Sequence, residues 1–336
     1  MKRIPFGVKL AVLMLCMAAP VIPFTFIWPG FYGVAMYGIM VATLSWVSAG
    51  PKVSLMATAA LGVFGAIGIV CRGQVWLLAV IVFLLGVGFG VAASRGVNSA
   101  VMQVMILTPY FMRQPPPLFS KGEPSVTPIY LISVVVIVFL GGCWAIFLLE
   151  RMAGKRTLRV KEVPDPKGAF LYGVLLGLVS ASVVVVGQTY FPNTRWVWIT
   201  MTLYVLTNPL QPLNWHRMWQ RVGGTVGGLA VVTILALAGV PDPVMLLLGL
   251  ITLWACLYLY VTEKPYWEYV VLLSMTVVLI NSYGKNTHLL DLQRMGFTLV
   301  GAALAITIAC TVNLIRYHRI SGTGMPELAG QGSSAD

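Results

Sequence analysis

Charged residues are scarce in this chain of 336 residues: 10% are Asp, Glu, Lys or Arg, against about 25% in soluble domains. Hydrophobic residues make up 58% of the chain. So few charges could not cover the apolar surface of a water-soluble globule of this length. The composition therefore excludes a soluble enzyme, a disordered protein and a secreted disulfide scaffold, and it leaves a polytopic membrane protein.

Motifs for catalysis and metal binding are also missing. The sequence has no G-x-x-x-x-G-K-[ST] loop for nucleotide phosphates, and no HExxH, paired CxxC or G-x-S-x-G motif. Its five cysteines lie mostly within apolar stretches without metal-ligand spacing, which indicates packing residues. We therefore expect no enzyme, no metal and no other cofactor.

Long apolar runs dominate instead, and a membrane-spanning helix needs about 20 mainly apolar residues. The predicted fold class is all-α and polytopic, with about twelve transmembrane helices. The predicted spans lie near residues 8–28, 31–48, 53–70, 75–93, 97–112, 128–149, 169–190, 196–212, 219–239, 243–262, 266–282 and 292–315. The first run follows basic residues but lacks a small-x-small cleavage site, so we interpret it as an uncleaved helix.

Basic residues are distributed unevenly between the loops. With a cytoplasmic N-terminus, sixteen fall inside: Lys2, Arg3, Lys9, Lys52, Arg95, Arg151, Lys155, Arg156, Arg159, Lys161, Lys167, Arg217, Arg221, Lys264, Arg316 and Arg319. Five fall outside: Arg72, Arg113, Lys121, Arg195 and Lys285. This positive-inside bias predicts a multi-pass protein of the cell (inner) membrane with both termini in the cytoplasm, and it accounts for the basic composition without nucleic acid.

A basic stretch at 150–168 divides the chain into two halves. We predict a first six-helix half at 1–149, a cytoplasmic linker at 150–168, a second six-helix half at 169–316 and a disordered tail at 317–336. A shift of 162 places Gly62 on Gly224 and Gly65 on Gly227. Six helices per half predict parallel repeats, and transport pathways often lie between such repeats.

The most distinctive motif lies in the second half. Trp198-x-Thr200 is followed by a Pro-bearing turn and by Arg221-x-x-Gly224-Thr225-x-x-Gly228, and an Arg294-to-Gly301 segment comes near the end. This arrangement resembles the FUSC family of fusaric acid resistance proteins and aromatic acid exporters, in its short form without a large cytosolic domain. The resemblance implies export of small anionic, aromatic compounds. It also implies a periplasmic adaptor (membrane fusion) protein as partner, if the source is Gram-negative.

The first half departs from this pattern, because Ala59 stands at the position of Arg221. In the second half, Gly224 and Gly228 share one helix face, and Gly223 and Gly227 form a second pair. Both pairs predict close helix packing.

Each charged residue of the motif region has more than one interpretation. Arg221 and Arg294 either extend to lipid headgroups or face the bundle and contact an anion, with Arg294 at an outer gate. Glu268 is either a solvated acid in an aromatic belt, or it pairs with Arg221 or Lys264, or couples protons. Together with Trp198, Thr200 and Thr225, these three form the predicted substrate-binding or gating set.

Three further functions stay open on the sequence alone. A passive anion channel would need no coupling site, and no acidic residue lies at a span centre. A non-transporting scaffold or envelope-assembly factor would use the same helices without a pathway. A membrane-embedded enzyme is the least supported, since spans and long loops carry no catalytic acid or metal cluster. The sequence leaves a homo-oligomer open, and membrane lipids are expected contacts.

Overall fold

Helices account for most of the chain in a computed structural model that describes residues 6–23, 30–113, 115–118, 124–153, 162–192, 194–207, 215–262, 264–281 and 287–322. No strand occurs within these ranges, which confirms the all-α fold. The helices are α1 (Phe6–Ala18), α2 (Phe31–Val70), α3 (Val75–Ser94), α4 (Asn98–Arg113), α5 (Pro128–Ala153), α6 (Pro166–Tyr190), α7 (Val197–Leu206), α8 (Trp215–Leu237), α9 (Asp242–Val261), α10 (Tyr266–Asn281) and α11 (Thr287–Gly322).

The long helix α2 contains two of the predicted spans. Gly50 interrupts it with φ 78° and ψ −175°, a conformation that favours glycine, and Pro51 follows. Ser54 Oγ donates to the Ala42 carbonyl at 2.7 Å. Twelve residues of straight helix would separate these two by about 18 Å. The chain therefore reverses at Gly50, and the two segments lie side by side.

The predicted first span is wrong in length. Helix α1 ends at Ala18, and residues 19–21 form a turn, whereas the sequence predicted one helix from 8 to 28. Pro20 explains the early end, because proline disfavours helical backbone in the residue before it and lacks an N–H for the helix ladder. Residues 24–29 lie outside the described part.

Seven of the described helical segments are long and apolar enough to cross a membrane, and one of them, Phe31–Gly73, includes the reversal in α2. Three shorter apolar segments, Gly7–Ala18, Val197–Leu206 and Tyr266–Ile280, fall below that length. The protein is thus a multi-pass membrane protein by helix length and composition. The number of twelve spans stays a prediction.

The linker predicted at 150–168 is shorter than expected. Helix α5 continues through Ala153, and α6 begins at Pro166, where the Asp165 carboxylate accepts from the Gly168 N–H at 2.8 Å as an N-cap. Residues 154–161 lie outside the described ranges. At the other end, α11 continues to Gly322, past the predicted boundary at 316, and residues 323–336 are likewise outside.

The two halves of the chain contact each other through glycines. A Cβ placed on Gly86 of α3 would meet the backbone of Gly177 in α6, and one on Gly90 would come within 2.8 Å of the Phe170 carbonyl. A Cβ on Gly173 would meet the backbone of Gly90. We call these four glycines the α3–α6 seam (Gly86, Gly90, Gly173 and Gly177). Backbone contact of this kind lets helices associate closely in lipid.

Candidate functional site

Two arginines of the second half are buried inside the protein. Arg221 is 0% exposed and Arg294 is 1% exposed. Their guanidinium groups therefore do not extend to the lipid-facing surface, and the interpretation that they reach lipid headgroups is wrong. Burying an ion without a partner costs several kcal/mol, so each side chain needs a compensating contact or a function.

Arg294 lies in the second turn of α11 and reaches α7. Its guanidinium carbon is 5.0 Å from the centre of the Trp198 ring, within cation–π range. Nη1 contacts the Met201 sulfur at 3.7 Å. The side chain of Trp198 interacts with that of Tyr110 of α4. Nε and Nη2 have no hydrogen-bond partner among the described residues.

Two more arginines lie at the same end of the bundle. The Arg195 backbone N–H donates to Gln293 Oε1 at 3.2 Å, one residue before Arg294. Tyr110 interacts electrostatically with Arg294, Arg195 and Arg113. The sequence placed Arg113 and Arg195 in outer loops and gave them no site role. The structure brings both towards Arg294.

Arg221 lies on α8, one turn before the glycine face. All three of its guanidinium nitrogens lack a hydrogen-bond partner within the described ranges. It interacts electrostatically with Tyr269 and Cys256, and with Arg294. Thr225, 1% exposed, accepts from Ser274 Oγ at 3.4 Å and so contacts α10.

Glu268 is half-buried at the start of α10, and Lys264 before it is exposed. Because the described residues offer the Arg221 nitrogens no hydrogen-bond partner, the Glu268–Arg221 pair is not formed in this conformation. Thr200 is fully buried and donates to the Val197 carbonyl at 2.8 Å.

The two predicted glycine pairs differ in their surroundings. A Cβ on Gly224 would lie 2.9 Å from Val270 Cβ, and one on Gly228 would lie 2.5 Å from the Val271 carbonyl. Gly223 is exposed with nothing within 4 Å, and Gly227 has only one contact, at 3.8 Å. Close packing against α10 is therefore a property of Gly224 and Gly228, whereas Gly227 makes an ordinary contact with Val271 of α10 and Gly223 faces away.

Comparison with known proteins identifies the region that holds both arginines. Residues 179–308 match the family described as fusaric acid resistance protein-like. The matched region, residues 179–308 of the 336, is similar to the FUSC family. That family is one of membrane transport or resistance at a general level. No curated protein and no solved structure matches the chain in the same comparisons.

The protein contains a narrow gap between the two halves of the chain. It is too narrow for a water molecule in this conformation. Side chains from both halves line it: Val82, Leu85, Met105, Pro109, Ser180, Thr200 and Tyr204. The Tyr204 hydroxyl accepts from Ser180 Oγ at 3.4 Å. The gap shares α4 and α7 with the surroundings of Arg294, so the arginine and the gap belong to one region.

Sequence reasoning missed Tyr110, Ser180 and the α3–α6 seam. The sequence does contain a signal for the seam. Gly86 and Gly90 are four residues apart on one helix face, and so are Gly173 and Gly177. Tyr110 carried no such signal, since its place beside Trp198 depends on how α4 packs against α7. No group of three or more His, Cys, Asp or Glu suited to a metal occurs among the described residues.

Proposed function

We propose that this protein exports small anionic, aromatic compounds across the inner membrane, driven by an ion gradient. The observation that carries this proposal is the pair of buried arginines without acidic partners in the described part of the chain. A guanidinium binds carboxylates through parallel N–H donors, and an anionic ligand would offset the cost of burying the charge. Trp198 and Tyr110 beside Arg294 suit an aromatic body.

The arrangement of helices supports two parallel six-helix repeats around this region. Equivalent pairs contact in each half: α2 with α4 and α8 with α10, α3 with α4 and α9 with α10, α1 with α5 and α6 with α11. The crossing pairs correspond too, since α3 packs on α6 and α9 packs on α1. A two-fold axis along the membrane normal relates such repeats, and a pathway would lie between them.

Two further parts of the proposal rest on sequence. The positive-inside bias supports cytoplasmic termini. A periplasmic adaptor protein is proposed as partner on family grounds alone, and co-purification after crosslinking in the native membrane would test it.

The test is transport by purified protein in proteoliposomes loaded with a labelled aromatic acid such as 4-hydroxybenzoate. We expect outward movement that depends on an imposed proton or sodium gradient and stops with an ionophore. Absence of movement for a panel of aromatic and other weak acids would refute export.

A passive anion channel is the second candidate, favoured because neither buried arginine has an acidic hydrogen-bond partner among the described residues. Gradient-independent movement of the labelled acid would support it. A scaffold role predicts instead that Arg221→Ala leaves export unchanged and lowers the assembly of an envelope complex.

A further inference from the structure

The unpartnered atoms of Arg294 form a defined chemical surface. A guanidinium presents Nε–H and Nη2–H as parallel donors along one edge, and this edge matches the two oxygens of a carboxylate. In Arg294 the third nitrogen, Nη1, contacts the Met201 sulfur. Nε and Nη2 are the two without a partner in the described part of the chain. The edge that remains is thus the one suited to two-point carboxylate binding.

The orientation of this edge is fixed by packing. The Trp198 ring lies against the guanidinium at 5.0 Å and is 1% exposed. The ring also interacts with the side chain of Tyr110 on another helix, α4. Met201 is buried on the same helix as Trp198. Because its neighbours are held, Arg294 would lose little side-chain entropy on binding a ligand.

Arg113 and Arg195 would attract an anion to this end of the bundle. Arg113 Nε donates to the Thr194 carbonyl at 2.7 Å, which ties the end of α4 to the segment before α7. Both arginines act electrostatically on Tyr110, the neighbour of Trp198. Positive groups at the mouth of a cleft raise the local concentration of anions.

We propose that the Nε–Nη2 edge of Arg294 binds the carboxylate of a small aromatic acid, with Trp198, Tyr110 and Met201 contacting its apolar part. This inference deepens the proposed function and rests on it for the aromatic-acid class. The site prefers a planar carboxylate over a spherical anion, because only the former engages both donors at once.

The test is equilibrium binding of benzoate to purified full-length protein in nanodiscs, by calorimetry, which requires no transport. We expect benzoate to bind and its neutral analogue benzamide not to bind. Arg294→Lys retains the positive charge without the planar edge, so benzoate affinity should fall at least about tenfold, while Arg294→Lys unfolds at a temperature close to wild type. Arg95→Lys makes the same change at an exposed arginine outside the site and should keep wild-type affinity.

Three outcomes would overturn the assignment: no benzoate binding, wild-type affinity in Arg294→Lys, or equal competition by chloride. If Arg294→Lys does not fold, tryptophan fluorescence decides the question. Benzoate should change the emission of the wild-type protein, and Trp198→Phe should remove that change; its persistence would contradict the site. Binding without transport would refute the proposed function but not this site.

Discussion

The two halves of this membrane protein bury different kinds of polar group. In the first half, the buried polar side chains of the described residues are hydroxyls and amides. Ser45 and Ser54 donate to the carbonyls of Ala100 and Ala42 at 2.6 and 2.7 Å, so these groups connect one helical segment to another. In the second half, the buried polar groups include two arginines whose nitrogens are largely unpartnered within the described ranges.

Burial of the apolar segments is more uneven in the second half. Their windows are 39–50% buried in the first half, whereas in the second half they range from 50% in Pro166–Tyr190 to 17% in Pro243–Tyr260. A Cβ on Gly38 would meet the Val138 backbone, and one on Gly141 would lie 2.6 Å from the Ala35 carbonyl, so α2 and α5 are in backbone contact. The comparison teaches that the first half serves mainly as support, while the second half carries the buried arginines. Tyr110 and Arg113, at the end of α4, are the part of the first half that reaches the region of Arg294.

The largest effect is expected on export. Arg221→Ala should lower export about thirtyfold or more with normal membrane abundance, because the described residues make no hydrogen bond to its nitrogens that folding would lose. Efflux of a labelled aromatic acid from cells measures this change. Arg95→Ala, which removes an exposed charge from the first half, is the matched control and should export normally. Wild-type efflux in Arg221→Ala at equal abundance would show that this buried charge of the second half has no role in export.

The second effect concerns the contact between the halves. Gly86→Leu should destabilise the protein by about 3 kcal/mol or more, because its side chain would meet the Gly177 backbone, which cannot rotate away. Gly88→Leu is the control, since Gly88 lies two residues away, is exposed and has nothing within 4 Å. The midpoint of thermal unfolding in detergent measures both. Similar midpoints for the two variants would show that α3 and α6 are not in backbone contact.

The third effect lies within the second half. Gly224→Leu would bring its side chain against Val270 and should cost about 1–3 kcal/mol, lowering membrane abundance. Gly223→Leu, one position earlier on the exposed face, should leave abundance and export unchanged. If Gly223→Leu instead lowers both abundance and export, the helix face that carries Gly223 packs against a second chain. The second half would then be more buried than the comparison of the two halves indicates.

Much of the helical architecture follows from the sequence, because apolar length is a local property. Helix α3 was expected at 75–93 and lies at Val75–Ser94. The direction in which Arg221 and Arg294 point was not predictable, since it depends on the rotation of α8 and α11. Contacts with α10 and α7 set that rotation. The rotation of α8 also explains why Gly224 packs against α10 and Gly223 does not.

The smallest effects are expected from the removal of a single hydroxyl group in each half. Ser54→Ala removes a 2.7 Å bond that joins the two segments of α2, and it should cost about 1 kcal/mol because the Ala42 carbonyl loses a buried donor. Ser274→Ala removes a 3.4 Å contact to Thr225, which is long for a hydroxyl pair, and should cost about half as much or less. Unfolding midpoints of the two variants, measured in one detergent, give the difference directly. A larger loss for Ser274→Ala would mean that the link between α8 and α10 holds the second half together. The second half would then be as stable as the first. This result would contradict the distinction between a supporting first half and a second half that carries the buried charges.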